Sequence, residues 1–239
     1  MDQPKKIKLT LVEFNKSEYD AIISEIKEVS KMIGLVKSGG DGRIDSAIKE
    51  MPFLIELKRL LLERNPTWEN DIIISPPRAS CDILIKLIRI NLKLTDCKTS
   101  DNCMNKPSIY YSITGDSSYP YSSNWNNFLD KMKEAKAAGT IKSTRDKSTE
   151  YHYLVKNKIT GDVLLKPIFD VHTYIPNASN DLQINWKNEF AHFEYVTEDD
   201  DVNYKKKVHS LLTCIQQSVR EMINRTNRFA SADITELLN

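Results

Sequence analysis

The amino-acid sequence predicts an α/β fold, of the α+β kind, in which a mixed central β-sheet is flanked by helices. Apolar residues recur at helical spacing near both ends of the chain, whereas several short segments between them alternate apolar and polar residues, as strands do. Helices come first, then strands around an inserted helix, then more strands and a closing helix. This order is typical of a mixed sheet covered by helices.

The length of 239 residues and the ordinary composition predict one domain over 1–239. We divide it into N-terminal helices (1–64), a central sheet with an inserted helix (71–175), and C-terminal strands with a closing helix (182–239). Lys and Arg number 34 against 33 Asp and Glu, so the net charge of +1 neither requires nor excludes a polyanionic partner. Any nucleic-acid surface must therefore be local.

Cysteine usage and hydropathy bear on the compartment. The four cysteines form no C-x-x-C pair and accompany no histidine cluster, which argues against a zinc site and for reduced thiols in the cytosol. The N-terminus lacks the apolar core of a signal peptide, and no window approaches the run of about 18 apolar residues that spans a bilayer. We expect a cytoplasmic protein with no membrane partner.

The first elements are amphipathic helices. Residues 17–36 carry apolar residues at helical spacing, with Ser17 as the N-cap. A second helix covers 45–63, where Pro52 marks a start or a kink. The glycine-rich segment 38–42 between them predicts a loop.

Strands and two further helices follow. A helix over 124–138 has Asn124 as its N-cap and Gly139 at its C-terminal end, and a last amphipathic helix covers about 203–224. The I-T-G-D segment at 159–162 predicts a hairpin turn. The strand candidates are 71–75, the hairpin 81–95, 108–115, 151–157, 162–175 and 182–196.

The segment CDILIKLIRINLKLT (81–95) predicts a hairpin with a two-residue turn at Lys86-Leu87. This register places Ile83 opposite Ile90 and Asp82 opposite Asn91. Side chains then divide between two faces. The core face holds Cys81, Ile83, Ile85, Ile88, Ile90, Leu92 and Leu94. The other, mostly polar face holds Asp82, Leu84, Lys86, Arg89, Asn91, Lys93 and Thr95.

The polar face of this hairpin gathers Asp82, Asn91 and Lys93, because directly opposed residues lie about 5 Å apart at Cβ. A carboxylate, an amide and an ammonium in this arrangement can hold a divalent cation and bring positive charge to a phosphate. Alternation by itself more often produces a hairpin with one solvated face. A functional interpretation therefore depends on a further observation.

That observation is a resemblance to a known family. Asp82 followed by Asn91-Leu92-Lys93 resembles the PD-(D/E)-x-K signature of type II restriction endonucleases. The polar loop, strand candidate and helix after Lys93 resemble the catalytic region of the blunt-cutting EcoRV and HincII type, and the C-terminal elements are similar to the closing elements of the HincII type. The resemblance covers about 38–225 and implies a restriction-endonuclease-like fold.

The resemblance also implies an activity, namely Mg²⁺-dependent hydrolysis of double-stranded DNA at a short specific sequence. Asp82 and the backbone carbonyl of Leu92 would then ligate Mg²⁺, and Lys93 would orient or activate the attacking water. A palindromic target implies a homodimer. A restriction system further implies a cognate DNA methyltransferase as genomic partner.

Asn91 departs from the family's Asp or Glu, because an amide offers an oxygen ligand without negative charge. Three explanations stay open. Glu50 on the preceding helix supplies the charge, with Glu56 as a weaker candidate. Alternatively the D-x-K at 96–98 takes over, although strand parity points Asp96 to the core side, or the chain is an inactive form. The catalytic candidates are Asp82, Asn91, Lys93 and Glu50, and the candidate metal ligands are Asp82, Leu92 and Glu50.

Loops near the hairpin carry the amide, hydroxyl and basic side chains that suit DNA contacts. These loops are 98–106, 116–124 and 176–181, and a solvated surface loop is the competing interpretation of each. The individual candidates are Lys98, Ser100, Asn102, Asn105, Lys106, Tyr121 and Ser122.

Overall fold

The secondary structure is mixed α and β. The structure is a computed structural model that describes residues 16–35, 42–76, 79–103, 105–120, 124–191 and 200–230. Its helices are α1 (Lys16–Met32), α2 (Gly42–Arg64), α3 (Lys106–Thr114), α4 (Trp125–Ala137), α5 (Trp186–Ala191) and α6 (Asp200–Ala230). Its strands are β1 (Ile72–Ile74), β2 (Ile83–Ile85), β3 (Ile88–Thr95), β4 (Asp101–Asn102), β5 (Tyr151–Asn157), β6 (Val163–Pro167), β7 (Tyr174–Asn177) and β8 (Asp181–Ile184).

A five-stranded mixed sheet with the strand order β1-β2-β3-β5-β6 forms the centre of the fold. The strands β1, β2 and β3 are antiparallel neighbours, β3 and β5 are parallel, and β5 and β6 are antiparallel. A smaller antiparallel sheet has the order β4-β8-β7. The predicted turn at 159–162 joins β5 and β6, with Gly161 at a φ of 79°.

Two buried apolar clusters cover the two faces of the five-stranded sheet. One packs α1 and α2 against the β2–β3 hairpin, including Ile83, Ile90 and Leu92. The other packs α3, α4, α6 and the small sheet against Tyr151 and Tyr153 of β5. The predicted arrangement of a mixed sheet flanked by helices is confirmed. Among the described residues, no helix is long and apolar enough to cross a membrane.

The 81–95 segment forms a hairpin in the predicted register. Ile83 lies opposite Ile90, and the turn is Lys86-Leu87. Both turn residues have positive φ, 46° and 73°, which is the conformation that lets a two-residue turn follow the twist of its strands. The Lys86 Nζ lies 3.5 Å from the Asp71 carboxylate, and this contact helps to fix the turn.

Two details of the hairpin differ from the prediction. Cys81 was expected on the same face as Ile83 but belongs to the opposite apolar cluster, because the chain bends at 80–82 before β2 begins. Thr95 was expected on the solvated face and is buried, with 6% of its surface exposed. The polar face of β3 is therefore covered at its end by other parts of the chain.

The segment 108–115 was predicted as a strand and is instead the helix α3. Asn105 caps this helix by accepting a hydrogen bond from the Ser108 backbone N–H at 3.1 Å, Pro107 lies in its first turn, and Gly115 ends it at a φ of 75°. All residues from 107 to 113 are buried. A helix buried on every side has no polar face, so its sequence lacks the helical period.

The strands predicted at 162–175 and 182–196 are shorter than expected. β6 ends at Pro167, a single 3-10 turn covers 168–170, and the chain then enters the small sheet as β7. β8 is followed by the helix α5, and 192–199 lie outside the described residues. The Glu189 carboxylate of α5 accepts hydrogen bonds from the backbone N–H groups of His172 and Thr173, and these bonds replace strand pairing at the corner.

Candidate active site

Asp82 lies at the bend immediately before β2, across from Asn91 on β3. Its backbone N–H donates to the Ile90 carbonyl at 2.9 Å. Its carboxylate Oδ2 accepts two hydrogen bonds, from the Asn91 Nδ2 at 2.8 Å and from the Leu92 backbone N–H at 2.7 Å. The hairpin therefore brings Asp82 and Asn91 into direct contact, as its register predicts.

In the Asn91 side-chain amide, the nitrogen has a hydrogen-bond partner but the oxygen has none among the described residues. Because Nδ2 faces the Asp82 carboxylate, Oδ1 points away from it, and this buried oxygen has no hydrogen-bond partner among the described residues. A buried acceptor without a donor costs about 1–3 kcal/mol. The oxygen is thus available to a cation or to a donor that arrives with a ligand.

Lys93 lies two residues beyond Asn91 on the same face of β3. Its ammonium makes no hydrogen bond or ion pair within the described ranges. Burial raises the pKa of the Asp82, Glu50 and Asp101 carboxyls, and the charge of Lys93 opposes that rise in all three. Lys93 is therefore a half-buried cation within electrostatic range of three carboxylates, none of which it contacts directly.

The helix α2 supplies Glu50 to this site. Burial raises the pKa of the Glu50 carboxyl, the charge of Lys93 lowers it, and the charge of Asp82 raises it further. In contrast, Glu56 hydrogen-bonds to Arg59 on the exposed face of the same helix. Of the two glutamates considered, Glu50 is the one that faces the hairpin.

The donor atoms of the site are oxygens, which fit a hard cation such as Mg²⁺. They are the Asp82 carboxylate, the Asn91 Oδ1 and the Leu92 carbonyl, which points to the Asp82 side of β3 together with the Leu92 N–H. Within the described part of the chain, no three His, Cys, Asp or Glu side chains are grouped to hold a metal ion. A cation here would therefore need amide and backbone oxygens as well as carboxylates.

The alternative D-x-K at 96–98 forms a local contact of its own. The Asp96 Oδ1 accepts the Lys98 backbone N–H at 3.1 Å, and the Lys98 Nζ lies 3.3 Å from Oδ2. The Lys98 side chain is 74% exposed. This pair lies beyond the end of β3 and is not part of the group around Asp82.

Two of the predicted DNA contacts are engaged within the protein. Besides capping α3, Asn105 donates from Nδ2 to the Ser80 carbonyl at 2.7 Å. The Lys106 Nζ lies 4.5 Å from the centre of the Trp125 ring and 3.8 Å from the Asp181 carboxylate. Both residues therefore make contacts that stabilise the segments beside the site.

The remaining candidates lie on the surface or outside the described residues. Asn102 is exposed on β4 and accepts a hydrogen bond from the Gln183 Nε2 at 2.9 Å. Ser100 is half-buried in the loop before β4. Tyr121 and Ser122 fall in 121–123, which the structure does not describe.

Asp101 is a residue that the sequence analysis missed. It lies on β4, half-buried, and its Oδ2 is buried without a hydrogen-bond partner in the described ranges. No motif includes it, because it reaches the site only when 96–100 turn back and β4 pairs with β8. The unpaired Oδ2 is what identifies Asp101 as a candidate, and it can be recognised only in the folded structure.

Comparisons with family models, with curated proteins and with solved structures found no match. The chemistry of the group around Asp82 is therefore what indicates a function.

Proposed function

We propose that the protein is a Mg²⁺-dependent type II restriction endonuclease that hydrolyses phosphodiester bonds of double-stranded DNA at a short palindromic sequence, on a restriction-endonuclease-like fold. The observation that supports this most strongly is the contact between Asp82 and Asn91, with Lys93 and Glu50 beside it. A buried amide oxygen and an ammonium that have no partner of their own among the described residues are expected where a ligand completes the site.

Each side chain has a distinct role in this proposal. Asp82 would bind the cation through its carboxylate, while the Asn91 Nδ2 donates to that carboxylate and leaves the Asn91 Oδ1 as a second oxygen that could hold the cation. Glu50 contributes the negative charge that Asn91 lacks. Lys93 donates a hydrogen bond to the attacking water or to a phosphate oxygen. Mg²⁺ would stabilise charge on the phosphate and lower the pKa of a bound water.

The proposed substrate has consequences for partners and location. A palindromic target is cut by two equivalent subunits, so the working form is a symmetric homodimer. A cognate DNA methyltransferase would protect the host sequence. The DNA substrate places the protein in the cytoplasm.

Digestion of unmethylated phage DNA tests the proposal. We expect discrete fragments with Mg²⁺, none with excess EDTA, and none from Asp82→Ala. Asp162→Ala is the matched control, since Asp162 is exposed on the β5–β6 turn and should leave cutting unchanged. Intact DNA with the wild-type protein, or undiminished cutting by Asp82→Ala, would show the proposal to be wrong.

A second candidate is a protein that binds DNA without cutting it. The observation in its favour is that the Asn91 amide is neutral and is already bonded to Asp82. Asn91→Asp separates the two candidates. Cutting that is present only in the variant would favour the binding protein, whereas cutting by the wild type would exclude it.

A further inference from the structure

Asp101 carries a carboxylate of which the fold leaves one oxygen unsatisfied. Its Oδ2 is buried and has no hydrogen-bond partner within the described ranges. A buried carboxylate oxygen without a partner destabilises the folded state. A nearby positive charge would offset this destabilisation, so we looked for the cation closest to Asp101 in the fold.

The position of Asp101 relative to Lys93 follows from β3. Residues 93 and 95 point to the same face of the strand, about 6.6–6.8 Å apart along it. The Thr95 side chain lies beside the Asp101 carboxylate and acts on it as a hydrogen-bonding group. Asp101 therefore lies over the face of β3 that carries Lys93, on the side away from Asn91.

A second contact fixes the segment that carries Asp101. The Tyr153 hydroxyl of β5 donates to the Cys103 carbonyl at 3.1 Å, and Tyr153 is the strand partner of Asn91. The segment 101–103 thus covers the neighbours of Asn91 as well as Thr95. Lys93 lies between these two anchored ends.

The other two carboxylates near Lys93, those of Asp82 and Glu50, already have a role in the proposed site. Asp82 is held by two hydrogen bonds and would bind the cation, and Glu50 would supply charge to the same cation. Asp101 is the remaining carboxylate. A lysine ammonium on a flexible four-carbon stem needs such a partner to keep one position.

We propose that Asp101 is a positioning residue, whose negative charge attracts the Lys93 ammonium without contacting it and keeps it where it reaches the attacking water and the scissile phosphate. This role rests on the proposed endonuclease function. Asp101 itself touches neither the DNA nor the cation.

The isosteric variant Asp101→Asn distinguishes positioning from a structural role, because the two predict opposite changes in stability. The variant keeps the size of the side chain and an acceptor for Thr95 but removes a charge that burial destabilises more than Thr95 and Lys93 stabilise it. Its melting temperature should rise by about 2 °C or more. Its kcat should fall about 10- to 100-fold, as expected for a misplaced catalytic group, with the Kd for DNA within about twofold of wild type.

Asp162→Asn is the matched control. Asp162 also lies next to a threonine hydroxyl, at 2.6 Å from the Thr160 Oγ1, but it is exposed. This variant should change neither the melting temperature nor kcat. A wild-type kcat in Asp101→Asn, or a lower melting temperature together with a lower kcat, would overturn the proposal.

A double-mutant cycle with Lys93→Met tests the electrostatic interaction between Asp101 and Lys93 without relying on cleavage. If Asp101 and Lys93 interact, removing the Asp101 charge should raise the melting temperature more in the Lys93→Met background than in wild type. If the changes in melting temperature caused by the two substitutions simply add in the double variant, the inference is overturned even if the wild type cuts DNA. Coupling in a protein that cuts no DNA would instead support the interaction between Asp101 and Lys93 and reject the endonuclease.

Discussion

Asn91→Asp is the substitution that tests the site most directly, because it replaces a donor with a second carboxylate at an unchanged position. In the wild type, the Asn91 Nδ2 donates to the Asp82 Oδ2 at 2.8 Å. In the variant two carboxylates would meet at that distance. Burial already raises the pKa of Asp82, and a second carboxylate would raise it further.

The magnitude follows from the bond that is lost. A hydrogen bond to a charged group contributes about 1.5–3 kcal/mol. For a chain of this size each kcal/mol corresponds to about 2–4 °C, so the melting temperature without metal should fall by about 3–12 °C. A bound divalent cation neutralises both carboxylates, so Mg²⁺ should restore most of this loss.

Thermal melts by circular dichroism, with excess EDTA and with millimolar MgCl₂, measure both quantities. Asn126→Asp is the control, since Asn126 is an exposed amide on α4 and its substitution should show no dependence on Mg²⁺. An unchanged melting temperature in EDTA, or a loss that is the same with and without Mg²⁺, would refute the reasoning.

Two further predictions concern the neighbouring elements. Burial raises the pKa of Glu50, so its ionised form destabilises the fold above that pKa and has no such effect below the pKa of the unfolded chain. In EDTA, Glu50→Gln should therefore raise the melting temperature by about 2 °C at about pH 8, with the gain disappearing towards about pH 4. Glu56→Gln should show no gain at either pH, and a gain from Glu50→Gln that persists in acid would contradict this account. At the hairpin turn, Leu87 has a φ of 73°, so Leu87→Gly should stabilise the protein by about 1 kcal/mol whereas Leu87→Ala should not. Equal melting temperatures for these two variants would show that the backbone is not the cause.

The sequence predicted the hairpin well because one strong constraint acts there, the burial of its isoleucines. Alternation assigns Ile83 and Ile90 to the core, and a one-residue slip would bury Arg89 and Lys93 instead. The turn at Lys86-Leu87 has no favoured turn residue. Burial of the isoleucines is therefore what sets the register.

In another segment the same kind of alternation led to a wrong prediction of a strand. The segment 108–115 alternates isoleucine and tyrosine with serine, but its helix is buried on all sides and is specified by the Asn105 cap, Pro107 and Gly115. The segment 162–175, predicted as one strand, passes from the five-stranded sheet to the small sheet. This change of sheet depends on hydrogen bonds to the Glu189 carboxylate, which is distant in sequence. Local pattern cannot report a contact of that kind.

The candidate site divides in the same way. Asp82, Asn91 and Lys93 share one hairpin, so strand geometry alone brings them together. Glu50 and Asp101 come from α2 and β4, and their proximity depends on how those elements pack. Glu50 was considered because Asn91 lacks the negative charge of the family's Asp or Glu, whereas nothing in the sequence pointed to Asp101.

The parallel pairing of β3 with β5 also bears on the order of folding. β1, β2 and β3 are joined by short connections, but β3 meets β5 only after the whole of 96–150 has been closed into a loop. Closing a long loop costs entropy, and non-local pairing slows folding. We therefore expect the contact between Asp82 and Asn91 to form early and the neighbours of Lys93 to arrive last, so that the group around Lys93 is completed in the final step of folding.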